Sequence, residues 1–232
     1  MNIIIGPPGT GKTTKLLSLV EQELAEGVDS KAIGYFAFTN RAANEAKERA
    51  YALFNYDSDD LPYFRTLHSL AFQRLGLSRS QVFNEDQRKD FGDLMGLEIT
   101  GKTPFEEGSF AFSKKGDQIL GMVEVARVKG IPVRQQWQQA DSDIGWFEVE
   151  RVERGLIEFK KARNLYDFTD MLSVFLAEEA APVLETIFID EAQDLSFLQW
   201  QMVFALQKLC KKVYIAGDDD QAIFRWAGYK YP

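Results

Sequence analysis

Residues 6–13 read Gly-Pro-Pro-Gly-Thr-Gly-Lys-Thr and satisfy the pattern G-x-x-x-x-G-K-[ST] in full. The pattern constrains the fold because of what flanks it. Asn2 to Ile5 is a short apolar run, and from Thr13 onward Leu16, Leu17, Val20 and Leu24 recur at helical spacing. Strand, glycine loop and amphipathic helix in that order form the unit in which successive backbone amides and a helix N-terminus cradle phosphate oxygens. Gly6, Pro7, Pro8, Gly9, Thr10, Gly11, Lys12, Thr13 and Thr14 are therefore the candidate nucleotide-binding residues. Lys12 is suited to neutralise the β- and γ-phosphates, and Thr13 to place its hydroxyl on Mg2+.

Such a loop needs a carboxylate from a neighbouring strand to hold the metal through its water shell. Ile187-Phe188-Ile189-Asp190-Glu191 supplies one at the end of an apolar run. Asp190 is the metal candidate, and Glu191, one residue beyond the strand, is placed to polarise the water that attacks the γ-phosphate. An isolated Asp-Glu pair is ordinarily a solvated acidic turn; its pairing with the phosphate loop favours the catalytic reading.

The rest of the chain extends the strand and helix alternation. Ile33 to Phe38 reads as a second strand running into Thr39 or Asn40 as helix cap, after which Ala43, Ala46, Ala50 and Leu53 share a face. Tyr63 to Leu67, Thr186 to Ile189 and Val213 to Ala216 complete five strands, which predicts a doubly wound α/β parallel sheet with its chemistry at the strand carboxyl ends. From about Gly76 to Leu165 the rhythm breaks into helical segments without a convincing strand. The expected organisation is a discontinuous domain, 1–75 with 166–232, carrying a helical insertion at 76–165. Two apolar sets flank the return: Val149, Val152, Leu156 and Phe159, then Phe168, Met171, Leu172, Phe175 and Leu176. The lone cysteine, Cys210, falls by the helical pattern of Phe197 to Leu209 and reads as a packing residue.

Charge limits how nucleic acid could be held. With 27 Lys plus Arg against 35 Asp plus Glu, the net charge is -8, which argues against coating duplex DNA by bulk electrostatics. A site would have to be local, built from backbone amides, a few basic residues and stacking aromatics. No apolar run reaches the length of a membrane span and the opening residues lack the form of a signal peptide, so a cytoplasmic protein without membrane contact is expected. His68, the single histidine, has no Cys or carboxylate partners at ligand spacing and is no metal site.

Several further blocks are similar to one family. Asp190-Glu191-Ala192-Gln193-Asp194 resembles the D-E-x-Q-D box of the UvrD/Rep superfamily 1 helicases, and residues 217–226, Gly-Asp-Asp-Asp-Gln-Ala-Ile-Phe-Arg-Trp, resemble the motif that follows it. Phe38-Thr39-Asn40-Arg41-Ala42-Ala43 is similar to the family's first DNA-contacting motif, and Thr66-Leu67-His68-Ser69 to the short block after it. Asp167-Phe168-Thr169-Asp170-Met171-Leu172 resembles the segment where the family's inserted subdomain rejoins the core. The resemblance implies a RecA-like P-loop NTPase domain with a helical insertion subdomain, using ATP and Mg2+ on single-stranded DNA. It assigns Lys12, Glu191 and Gln221 to catalysis, Gln221 as γ-phosphate sensor. Phe38, Asn40, His68, Phe224 and Trp226 fall to the DNA, with the aromatics as stacking platforms. Core packing is the alternative for Phe38 and Phe224, and helix capping for His68. Within the insertion, Trp137 and Trp146 beside Arg127, Lys129 and Arg134 could touch DNA, but Glu124, Asp141, Asp143 and Glu148 offset the charge, which favours a solvated helical body with a core tryptophan.

The chain departs from the family pattern in places. It starts at the first strand, without the upstream glutamine segment that reads adenine, and Ala227 stands where arginine is common. It stops at Pro232, so the second RecA-like domain with its arginine finger is expected to be missing from it. The leading expectation is the ATP-binding core of a 3'-5' single-strand DNA helicase. The competing ones are a generic P-loop NTPase or nucleotide kinase, and a non-catalytic nucleotide- or DNA-binding module.

Overall fold

The computed structural model describes residues 1–57, 59–101 and 114–218. In chain order the main elements are β1 (Asn2–Ile5), α1 (Lys12–Ala25), β2 (Ile33–Ala37), α2 (Asn40–Phe54), β3 (Phe64–Thr66), α3 (Leu67–Arg74), α4 (Glu85–Met95), α5 (Lys115–Lys129), α6 (Val133–Gln139), α7 (Trp146–Arg163), α8 (Phe168–Ala177), β4 (Thr186–Ile189), α9 (Phe197–Gln207) and β5 (Lys212–Gly217). The chain divides into two compact units, one of residues 1–76 with 172–232 and one of Leu77–Met171.

In the first unit five strands pair in parallel in the order β1-β5-β4-β2-β3. This is the all-parallel α/β sheet expected of a RecA-like P-loop domain. All five expected strands are present, but β2 stops at Ala37 and β3 covers only Phe64–Thr66. Both trims have one cause: a threonine takes over as helix cap. Thr39 accepts from the Ala42 amide and Thr66 from the Ser69 amide, which opens α2 and α3 where the strands were expected to continue. Each such cap stabilises its helix by about 1 kcal/mol.

The central strands β2 and β4 are wholly buried, as parallel strands covered on both faces should be. On one face Leu16, Leu17 and Val20 of α1 and Ala43, Ala46 and Ala50 of α2 pack on Tyr35, Phe64, Phe188 and Ala216. The small alanine face lets α2 sit close to the sheet. Leu53, expected on that face, is exposed at the last turn of α2. Phe168, expected among the apolar residues of α8, is also exposed. Cys210 lies past the end of α9, partly buried, and burial pushes its thiol pKa up.

The second unit is built from helices around Phe91, Ile119, Leu120, Val123, Val149, Val152, Leu156 and Phe159. It also holds a charge network, two members of which, Glu124 and Arg127, the sequence reading assigns to a solvated body. Arg88 pairs with Glu124, both buried. Arg127 pairs with Asp167 and Asp170, and Lys160 reaches the same two carboxylates at 2.6 Å each. The Asp167 and Asp170 side chains also take each other's backbone amides, at 2.8 and 2.9 Å. The two cations hold the Asp167 carboxyl far below the usual range despite its burial. Trp137 donates to the Ile144 carbonyl at 2.7 Å and packs on Trp146, so this pair is structural. Among the described residues no helix is long and apolar enough to cross a membrane.

Candidate functional site

A parallel sheet brings every strand's carboxyl end to one edge. Gly6, Phe38, Thr66, Asp190 and Asp218 all follow directly on strand ends or close them, so residues far apart in sequence meet there. The phosphate loop leaves β1 at Gly6, whose amide bonds to the Gly217 carbonyl of β5 at 3.3 Å. Thr10 closes the loop by donating its hydroxyl to the Pro7 carbonyl at 2.8 Å. A Cβ at Gly6 would stand 2.7 Å from that same hydroxyl oxygen, so the loop closes tightly only over glycine. Gly11, the residue before α1, has φ +83, a left-handed backbone that glycine adopts without strain.

Lys12 is buried and its ammonium is held by three groups: the Gly6 carbonyl at 2.8 Å, the Pro7 carbonyl at 3.1 Å, and the Asp218 carboxylate. Thr13 donates its hydroxyl to Asp190 Oδ2 at 2.8 Å. Asp190 is buried, with Oδ1 accepting the Glu191 amide at 3.0 Å and Oδ2 also accepting the Tyr35 hydroxyl at 2.7 Å. Burial and the adjacent Asp190 push the Tyr35 phenol well up, so it keeps its proton and donates.

Thr13 and Asp190 offer two hard oxygen donors side by side. That set fits Mg2+, which takes one or two protein ligands and completes its shell with water and phosphate oxygens. Among the described residues no group of three or more His, Cys, Asp or Glu is placed to hold a metal ion.

Glu191 sits in the left-handed region at φ 52, a conformation a non-glycine residue adopts at a cost on the order of 1 kcal/mol or more. Its carboxylate is held by Gln193, whose amide nitrogen donates at 2.6 Å. The Gln193 carbonyl accepts the Asp218 backbone amide at 3.0 Å, so one side chain joins the turn after β4 to the end of β5. Burial and the nearby Asp218 push Asp194, beside this bridge, upward in pKa.

Along the same edge Phe38 is 40% exposed, which removes the core-packing alternative for it. Asn40 is exposed and lies 3.5 Å from the Thr66 hydroxyl. His68 is the second residue of α3; the cap is Thr66, so the helix-capping alternative for His68 fails. Burial pushes the His68 pKa down to about 4, which leaves the ring neutral near pH 7. Gln221, Phe224 and Trp226 lie outside the described residues.

The structure thus brings Lys12, Thr13, Asp190 and Glu191 together and sets Phe38, Asn40 and His68 along the neighbouring strand ends. Sequence reasoning assigned no role to Tyr35, Gln193 or Asp218. Gln193 lay in a recognisable box, whereas Tyr35 carried no signal beyond a hydroxyl in an apolar run.

The family model for the UvrD/REP helicase N-terminal domain matches residues 1–230. A probable DNA helicase of Mycoplasma pneumoniae is 23% identical to this chain, over 98% of the chain and 45% of the relative. The ATP-dependent DNA helicase Rep of Buchnera aphidicola is 22% identical, over 97% of the chain and 34% of the relative. The ATP-dependent DNA helicase PcrA of Staphylococcus aureus is 26% identical, over 97% of the chain and 32% of the relative. The chain therefore spans between a third and a half of the length of these relatives.

Proposed function

This chain belongs to the UvrD/REP helicase N-terminal domain family, and on that footing we propose that it is the ATP-binding part of a motor that moves along single-stranded DNA. The carrying observation is the Thr13–Asp190 contact beside the phosphate loop, at the same sheet edge as the exposed Phe38. In this reading the 1–76 and 172–232 unit is the motor domain and the helical unit an insertion in it.

Lys12 is held in a buried position by carbonyls of the loop, aimed where the β- and γ-phosphates lie when nucleotide fills the hollow. The triphosphate replaces Asp218 as its partner. Thr13 and Asp190 are the residues that would hold Mg2+, which when bound would neutralise charge on the phosphate oxygens. Glu191, oriented by Gln193, takes a proton from the attacking water. Phe38 offers a face on which a base stacks, and Asn40 and His68 contact the strand; a neutral His68 does so by hydrogen bonding rather than by charge. By resemblance Gln221 reports the γ-phosphate to Phe224 and Trp226, and the direction of travel is 3'-5'.

The reading predicts reciprocal coupling: nucleotide changes the affinity for single-stranded DNA and DNA changes the affinity for nucleotide by the same factor. Anisotropy titrations of a labelled oligodeoxythymidylate, with and without Mg-ATP, measure it. A chain that binds nucleotide but shows neither DNA binding nor coupling, and that phosphorylates a nucleoside monophosphate, is a nucleotide kinase instead.

A further inference from the structure

We infer that Tyr35 is a positioning residue for the metal-holding carboxylate, and that its hydroxyl sets how tightly the nucleotide site takes Mg2+. The inference rests on the reading of Asp190 as the metal carboxylate. Register generates the contact. Tyr35 of β2 pairs directly with Phe188 of β4, and Asp190 stands two residues further on, just past the end of β4, with its amide still bonded to the Phe36 carbonyl of β2 at 2.9 Å. The diagonal from one strand to a position two residues on is within reach of a long aromatic side chain. The Tyr35 hydroxyl spans it and lands on Asp190 Oδ2 at 2.7 Å.

The ring has no freedom to leave. Tyr35 is fully buried and stacked between Phe64 of β3, at 5.3 Å between centroids, and Phe188, at 6.4 Å. Phe188 stacks in turn on Tyr214 of β5 at 5.0 Å. Four rings in register across four strands hold the phenol at one height above the sheet. The hydroxyl shares Oδ2 with Thr13, the other metal candidate, while the Glu191 amide takes Oδ1. Tyr35 therefore fixes the carboxylate plane from the core side and leaves Thr13 as the partner that exchanges when Mg2+ arrives. Hydrogen bonds from outside the ligand set orient metal-binding carboxylates in this manner.

The test is titration of Mg2+ into the 232-residue chain with an N-methylanthraniloyl ATP reporter, read as the metal concentration for half-maximal binding. A parallel titration of the reporter in EDTA reads metal-free affinity. Tyr35→Phe keeps the ring stack and removes only the hydroxyl; it should raise the Mg2+ half-saturation about tenfold and leave the EDTA affinity unchanged. Phe64→Leu loosens one side of the stack but keeps the hydroxyl; it should lower the melting temperature and shift the Mg2+ half-saturation by clearly less than Tyr35→Phe does. A Tyr35→Phe half-saturation within about twofold of wild type overturns the inference, as do equal shifts in both variants. Wild type without Mg2+-dependent nucleotide binding overturns the reading of the site itself, and the inference with it.

Discussion

The Gln193 side chain donates to Glu191 Oε2 at 2.6 Å while its carbonyl oxygen holds the backbone of Asp218. Glu191 occupies a strained backbone conformation, and among the described residues its carboxylate has no other hydrogen-bond partner, so its aim depends on this amide. Gln193→Ala should lower the steady-state rate of ATP hydrolysis by roughly ten- to a hundredfold, the scale of a lost orienting contact. Nucleotide affinity should hold. A fall in affinity without a change in rate would place Gln193 in binding instead.

Lys12→Ala and Asp190→Ala should each weaken Mg-ATP binding sharply, because each removes a charge that balances the triphosphate in a partly water-excluded pocket. Glu191→Gln should behave differently and retain nucleotide while slowing hydrolysis. Calorimetric titration beside a turnover assay separates the two behaviours. Unchanged affinity in both the Lys12 and Asp190 variants would falsify the site assignment.

Phe38→Ala should reduce affinity for single-stranded DNA by about 1 to 3 kcal/mol, the range for one stacked base. Mg-ATP affinity and thermal stability should be nearly unaffected, since the ring is already exposed. A large drop in melting temperature would mark Phe38 as a packing residue.

His68 makes stability depend on pH with a definite sign. Its pKa in the folded chain is about 4, below the ordinary value of 6.5, so the unfolded state binds the proton more readily. Stability from this group is full above about 6.5 and is lost as pH falls toward 4. Urea midpoints between pH 7 and pH 4 should fall for wild type and fall less for His68→Gln; identical slopes would show that the ring is not the source.

Asp167→Asn should destabilise the chain by roughly 3 to 5 kcal/mol, because it leaves Arg127 and Lys160 with half their buried countercharge. Wild type draws on this depressed carboxyl at pH values above the ordinary carboxylate range and loses the contribution in acid. The variant should therefore show a shallower acid transition in circular dichroism. A loss below about 1 kcal/mol would mean that the network is replaceable by neutral hydrogen bonds.

The sequence made the sheet and its chemistry legible for a physical reason: buried parallel strands are short apolar runs, and a phosphate loop needs its own glycines and lysine. Its punctuation was less clear. Leu67 and Phe38 were counted as strand because they are apolar, whereas the threonines beside them end β3 and β2 by capping helices. Strand order, with β1 at one edge next to β5, has no local signature at all. The charges of the helical unit were misread for a related reason. Composition shows that Glu124 and Arg127 exist but not that Arg88 and Asp167, 36 and 40 residues away, meet them in a low-polarity interior. Tyr35 was invisible for the same reason of distance, its partner being 155 residues further on.

The Thr13–Asp190 contact joins positions 177 residues apart, with the whole helical unit strung between them. On a ribosome the carboxylate that answers this threonine is made only after that intervening body. While the helical unit is being made, the nascent chain carries a phosphate loop whose threonine has not yet met its carboxylate. The Thr13–Asp190 contact therefore forms together with closure of the central sheet, because β4 leads directly into the carboxylate and is the strand that joins β2 to β5.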